Sequence, residues 1–333
     1  MPAKKIRMNH EWDTLREVVV GCPYVRTGTD VPAYLSHFMP PAGIAYAREA
    51  LKRYPGQRLE DVEKDLYLAM EEQMDNVIRI LEARDVIVYQ VKPFEQTEES
   101  FLQNLSFRIS IQSFPRDPIV VIGNTFIETA MYAPYRRKER FAIRRTLEDR
   151  LIQSDARMLS MPEPYPLPER KDGYGPGVFL EGGDVFVLGQ DIYVGNTGNA
   201  SSPEGIKWLQ NILGNDYRIH EIKLSRKFLH LDCVLSTLRP GLAVVCKAGF
   251  TEGLPSFLKN WDLIEVSPED AEEKLAANVL VLDEKTVIVA QEIPDMADAL
   301  TKAGQNVIVT PFSAVYLWGG AFRCWHHPLL RET

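Results

Sequence analysis

No run of apolar residues in this 333-residue chain approaches the length of a membrane-spanning helix, so nothing in it reads as a transmembrane segment. Positive charge is not in excess either. The formal net charge is −8, and without a basic stripe neither a nucleic acid nor an anionic membrane is an expected partner. The opening MPAKKIRMNHEWD carries some positive charge but no apolar segment behind it. It does not read as a secretory signal, and a cytoplasmic location is the expectation. Cysteine is scarce and widely spaced: Cys22, Cys233, Cys246 and Cys324, with no C-x-x-C. That pattern excludes a disulfide framework and a zinc-binding spacing. A phosphate-cradling G-x-x-x-x-G-K is absent, and GYGPG at 173–177 is no dinucleotide fingerprint, because no strand leads into it and Pro176 lacks a backbone donor. The adjacent His326 and His327 would point to opposite faces of a strand and lack a third partner. No metal and no organic cofactor is expected. No low-complexity linker divides the chain, so a single domain over 1–333 is the expected organisation.

What is present is the balance of a soluble globular protein, 45% hydrophobic and 25% charged residues. The chain begins with a short apolar strand at Val18–Val20, and the Pro-, Gly- and Thr-rich stretch 24–43 reads as loop. From about Arg58, Val62, Leu66, Met70, Met74, Val77 and Leu81 recur at three- and four-residue steps and predict an amphipathic helix, followed by the strand VIVYQV at 86–91. Four stretches then share one form, two apolar runs around a short turn: 119–129, 185–195, 234–245 and 279–289. Helical patterns at 202–214 and 295–304 lie between or after them. With the N-terminal strand–helix–strand as a divergent copy, the repeat count is about five, which suggests stacked or radially arranged units. The segment 162–177 is the most loop-like.

Ionisable residues cluster where a core pattern would not place them. Asp117 in FPRDP, Glu181 in LEGGDV, and His230 with Asp232 in FLHLDC each stand just before a hairpin, and Cys324 lies in GGAFRCW near the C-terminus. Taken singly, each has an ordinary structural explanation: a turn starter, a turn, a hydrogen-bonded core histidine, a buried thiol. Their shared position changes the reading, because equivalent ends of radial repeats converge on one axis. A cysteine beside an imidazole is an activated nucleophile. Crowded carboxylates suit a guanidinium, whose fork of N–H groups matches carboxylate geometry. Two such as Asp117 and Asp232 would hold its carbon open to sulfur.

The set RDP, EGGD, HLD and a C-terminal GG-x-x-x-C resembles the guanidine-modifying superfamily of arginine deiminases, dimethylargininases and amidinotransferases. NHEWDTLREVVVG, NVLVLDEKTVIV and the Cys-Trp ending make the chain most similar to the amidinotransferases that form guanidinoacetate. The resemblance implies an α/β fold, a fivefold pseudosymmetric α/β propeller built from ββαβ-type repeats. It implies an amidinotransferase that moves the amidino group from a guanidino donor, L-arginine or agmatine, to a primary amine through a covalent amidino-cysteine, by a ping-pong cycle. Cys324 would be the nucleophile, His230 the general acid–base and Glu181 its orienting partner. Asp117 and Asp232 would grip the guanidinium. Glu181 stands where glycine-type enzymes carry Asp and deiminases carry Glu. The arginine those transferases use for the donor carboxylate is missing from VVCKAGFTEG, so Lys247 would take its place, or else Glu272 and Glu273 would suit a donor that ends in an amine. The glycines before Cys324 would display its thiol rather than bury it. Relatives often dimerise, and a homodimer is carried over on that basis alone. Two other functions remain open: a guanidino hydrolase, in which water takes the intermediate, and a non-catalytic propeller that binds a guanidino ligand.

Overall fold

The computed structural model describes residues 4–28, 31–39, 41–102, 110–165 and 175–333. Most of the loop reading over 162–177, at 166–174, lies outside the described residues. The four predicted hairpins all form as antiparallel pairs: Ile119–Ile122 with Thr125–Glu128, Val185–Leu188 with Asp191–Asn196, Leu235–Arg239 with Leu242–Val245, and Leu280–Asp283 with Thr286–Ala290. In each, the second strand takes a third, parallel neighbour: Arg157–Ser160, Arg218–Lys223, Asp262–Glu265 and Asn306–Thr310 respectively. A parallel neighbour needs a crossover. The helices Glu139–Ile152, Pro203–Leu213 and Pro294–Lys302 supply it in three units. In the third unit TEGLPSFLKN is broken by Gly253 and Pro255, and two 3₁₀ turns, Lys247–Gly249 and Ser256–Leu258, replace the helix.

The fifth sheet has the same form but is built from both ends of the chain. Thr14–Val20 pairs in parallel with Ile87–Gln90 and antiparallel with the last strand, His326–Glu332. Between the two parallel strands runs the helix Lys64–Glu82, which buries Met70, Met74, Val77 and Leu81 at the predicted spacing. Glu63 (φ −130°, ψ 59°) separates it from a short turn of helix at Leu59–Val62. The stretch 24–43 is not simply loop. Val25–Arg26 pairs with Ser110–Ile111, a 3₁₀ turn covers Ala33–His37, and a helix starts at Pro41 and runs to Arg53. Proline is at home at a helix start because it lacks only an N–H that would be unpaired there, so the Pro-rich composition marks the helix's beginning.

The hairpin strands are largely buried on both faces: every residue of Ile119–Ile122 and of Leu242–Val245 is buried. This is why they read as continuous apolar runs. The consequence for the site is positional. Asp117, Glu181, His230 with Asp232, Asn278 and Cys324 each precede the leading strand of one of the five sheets, Cys324 standing two residues before His326–Glu332.

Candidate active site

Asp117, Glu181, His230 and Cys324 line one cavity of about 90 Å³. Arg136 joins them, and the rest of the wall is mostly apolar and aromatic, with Leu35, Phe38, Phe114, Tyr135, Leu229 and Trp318 among them. His230 is 1% exposed. Its Nε2 is 2.8 Å from Glu181 Oε2, and its Nδ1 is 3.6 Å from Asp117 Oδ1. The other Glu181 oxygen accepts the Tyr132 backbone N–H at 2.8 Å, which fixes the carboxylate. Burial pulls the imidazole toward neutrality, but Asp117, the Glu181 hydrogen bond and Asp184 outweigh it and raise its pKa to about 10. The ring is therefore an imidazolium held between carboxylates at neutral pH. Gly183 permits this packing: a Cβ there would sit 2.5 Å from His230 Nδ1 and 2.8 Å from Asp117 Oδ1.

Asp117 is divided between two roles. Its Oδ2 accepts from Arg136 Nη1 at 2.9 Å, while Arg136 is clasped by Glu139 through Nε and Nη2 at 2.9 and 2.8 Å. Its Oδ1 is buried and has no hydrogen-bond partner. Buried carboxylate oxygens are normally paired, so this oxygen is free for a donor that arrives in the cavity. Burial pushes Glu139 up to about 7 despite Arg136, and Asp184 up to about 7 despite His230.

Cys324 is 4% exposed, so the expectation of a displayed thiol is corrected: the sulfur lines the cavity but is buried at its base. Of the two glycines before it, Gly320 serves packing, since a Cβ there would meet the Phe114 ring at 2.4 Å, and Gly319 supplies a positive φ of 84°. Asp232 sits one layer deeper. It is absent from the cavity wall, and its Oδ2 lies 3.6 Å from Cys324 Sγ and 3.2 Å from Arg323 Nη1. Burial, Asp232 and Asp117 together push the Cys324 thiol well above its ordinary value, which favours the protonated thiol.

Three residues complete the site that the sequence reading did not assign. Asn278 accepts the backbone N–H groups of Arg323 and Cys324 on Oδ1 at 2.8 and 3.2 Å. Its Nδ2 donates to Cys324 Sγ at 3.3 Å and to the Asp232 carbonyl at 3.1 Å. Arg323 bridges Asp232 to Glu11, whose Oε2 is 3.0 Å from Nη2, and its guanidinium stacks 3.8 Å over Phe186. Arg136 is the third. Asn278, Arg323 and Glu11 stand within the quoted NVLVLDEK, FRCW and EWD stretches, so a signal existed for all three. Lys247 is not brought to the cavity. It is half exposed and pairs with Glu265 at 2.7 Å on the surface. Glu272 and Glu273 line a smaller side cavity of about 30 Å³ that shares Phe38, Met39, Leu229, Cys233 and Gly319 with the first.

Among the described residues one cluster could hold a metal ion, Asp117, Glu181 and His230. Most of its atoms are already engaged: Arg136 takes Asp117 Oδ2, Tyr132 N–H takes Glu181 Oε1, and Glu181 Oε2 holds His230 Nε2. The donor set fits a protonated imidazole. No helix among the described residues is long and apolar enough to cross a membrane.

Five like three-stranded sheets in an α/β fold place a buried thiol and a carboxylate-held imidazolium on one cavity. The sequence profile of the eukaryotic N,N-dimethylarginine dimethylhydrolase family matches residues 61–331. An L-arginine:L-lysine amidinotransferase of Pseudomonas savastanoi pv. phaseolicola is 26% identical, over 94% of this chain and 91% of its own. An inosamine-phosphate amidinotransferase of Streptomyces glaucescens is 28% identical, over 96% and 94%. The structure of an amidinotransferase from Microseira wollei, in the saxitoxin biosynthetic pathway, superposes with a TM-score of 0.79 at 26% identity, covering 98% of each chain. The chain belongs to the dimethylarginine dimethylaminohydrolase and arginine deiminase-like superfamily, in its amidinotransferase branch.

Proposed function

We propose that this protein transfers an amidino group from a guanidino donor to a primary amine through a covalent intermediate on Cys324. The observation that carries the reading is the buried Asp117 Oδ1, which has no hydrogen-bond partner and lies on the same cavity as the Cys324 thiol. A guanidinium donating to Asp117 would place its carbon among the sulfur, the imidazolium and the carboxylates. Its charge would offset Asp117 and Asp232, the two carboxylates that oppose thiolate formation, so donor binding itself would favour the thiolate, with Asn278 Nδ2 as a ready hydrogen-bond donor.

The cycle then balances as follows. The Cys324 proton is released to solvent as the cationic donor binds, and the thiolate attacks the guanidinium carbon and forms an S–C bond. The His230 imidazolium gives its proton to the departing nitrogen, the C–N bond breaks, and a neutral amine leaves an amidino-thioether on Cys324. An acceptor that enters as the neutral amine attacks the amidino carbon, and the now neutral His230 takes the proton that the attacking nitrogen sheds. The S–C bond breaks, a new guanidino product departs, and the thiolate and imidazolium are restored. Glu181 holds the ring in place throughout. No metal or organic cofactor enters a step.

We further read the five sheets as five blades of one propeller, with residues 1–333 as one unit, because all five present their leading ends to the site. For the donor, Arg136 is the sole arginine or lysine among the described residues of the cavity wall, and it is already committed to Asp117 and Glu139. Together with Glu272 and Glu273 in the side cavity, this favours an amine-ended donor such as agmatine beside L-arginine. Mass spectrometry of products from each donor, with and without a panel of primary amines, tests the reading. A new guanidino compound that depends on the added amine is the expected result. Citrulline or carbamoylputrescine with ammonia, formed regardless of amine, would make the protein a hydrolase. Binding without turnover, unchanged in Cys324→Ser, would make it a guanidino-binding protein.

A further inference from the structure

The acceptor half of the proposed cycle runs in the same cavity, and the cavity wall restricts what an acceptor can carry besides its amine. The 3₁₀ turn Ala33–His37 and the helix Pro41–Arg53 bring Leu35 and Ala47 to the wall, with Phe38 from the stretch between the two elements. Ile111, Phe114 and Trp318 extend the apolar surface, and the Trp318 ring meets Tyr46 edge to face at 5.7 Å. Tyr46 adds a hydroxyl. Its Oη is buried and has no hydrogen-bond partner, and burial together with Glu63 raises its pKa to about 12, so it stays neutral. It offers hydrogen bonding without charge.

Among the described residues, no cation of the wall is left for an anionic group on the acceptor. Arg136 is the sole arginine or lysine there, and Glu139 and Asp117 already hold it. By the acceptor step His230 would have given up its proton, and the amidino group on Cys324 would carry the charge that Asp117 grips. A carboxylate or phosphate would therefore be buried near Asp117 and Glu181, with the charge of Glu63 reaching Tyr46 as well. An unpaired buried anion is costly. The negative faces of Trp318 and Tyr46 act in the same sense. A hydrocarbon chain, by contrast, gains from burial against this wall. An ammonium at its far end has the aromatic faces, and Glu272 and Glu273 in the side cavity.

We infer that the acceptor is an aliphatic amine or diamine that carries no carboxylate or phosphate, an inference that rests on the proposed transfer. Its nitrogen takes the place of sulfur on the amidino carbon, the proton it sheds goes to His230, and a substituted guanidine leaves Cys324 as the thiolate. The test loads Cys324 of the full chain with arginine or agmatine. It then offers pentylamine, cadaverine and ε-aminocaproate, which share one chain and differ at its far end. The kcat/KM of ε-aminocaproate should be lower than that of either other amine by on the order of 100-fold. Calorimetry with pentylguanidine and ε-guanidinocaproate reads the same preference without turnover, and the second should bind at least about tenfold more weakly. A kcat/KM for ε-aminocaproate equal to that of pentylamine would overturn the inference and leave transfer in place. If no amine is amidinated, transfer itself fails and the two guanidine affinities decide: equal values overturn the inference.

Discussion

Replacing Asn278 with Asp isolates what that side chain does for sulfur. The substitution keeps an oxygen to accept the Arg323 and Cys324 backbone N–H groups, so the local chain path is retained. It removes the Nδ2 donor 3.3 Å from Sγ and the bond to the Asp232 carbonyl. A hydrogen bond to a charged partner contributes roughly 1.5–3 kcal/mol. Losing it lowers the thiolate population by about 10- to 150-fold at a given pH, and the added carboxylate acts in the same direction. The assay is alkylation of Cys324 by iodoacetamide across pH, read by peptide mass spectrometry, with and without a guanidino ligand. The wild-type rate should rise on ligand binding, and Asn278→Asp should be slower by at least tenfold in both conditions. Superimposable pH profiles for the two proteins, at equal Tm, would refute the reasoning.

Other perturbations follow from the same geometry. Gly183→Ala forces a Cβ against His230 and Asp117; overpacking of this kind costs about 1–3 kcal/mol, and kcat should fall far more than Tm in steady-state and melting experiments. Arg136→Met leaves Asp117 and Glu139 buried without their cation, a loss of about 3–5 kcal/mol in denaturant unfolding. Smaller losses would mean that the pair is solvated in solution. His230 has its folded pKa raised from 6.5 to about 10, so its contribution to stability is fully present below about pH 6.5 and is lost as pH rises toward 10. Denaturant midpoints over that range should fall in the wild type and stay flatter in His230→Gln; parallel curves would contradict the assignment.

Much of the fold is written in apolar runs around turn residues, and the residues leading each run are those that meet at the cavity. The fifth sheet was not legible in that way. Its leading strand, HHPLLRE, carries histidines, a proline and an arginine, and pairs with a strand at the opposite end of the chain. The pairing of this strand with Thr14–Val20 accompanies the burial of His326, His327 and Arg331. Arg136 was hidden for a related reason. YRRKER carries no apolar pattern that would mark it as interior, yet Arg136, Arg137, Lys138 and Glu139 are all buried, with Asp117, the Met131 carbonyl and the Pro164 carbonyl among their partners. Lys247 shows the reverse error. A cation in the right stretch of sequence was offered as a ligand, but the 3₁₀ turn at Lys247–Gly249 sends it to Glu265 on the surface. Residue type and order identify candidates; burial and direction belong to tertiary packing.

The most direct test of the account is intact-protein mass spectrometry after incubation with arginine or agmatine in the absence of any acceptor. The account predicts a mass increase of one amidino group, mapped to Cys324 and absent in Cys324→Ser, that a primary amine discharges as a new guanidino compound. No adduct, or an adduct on Cys22, Cys233 or Cys246 instead, would contradict it.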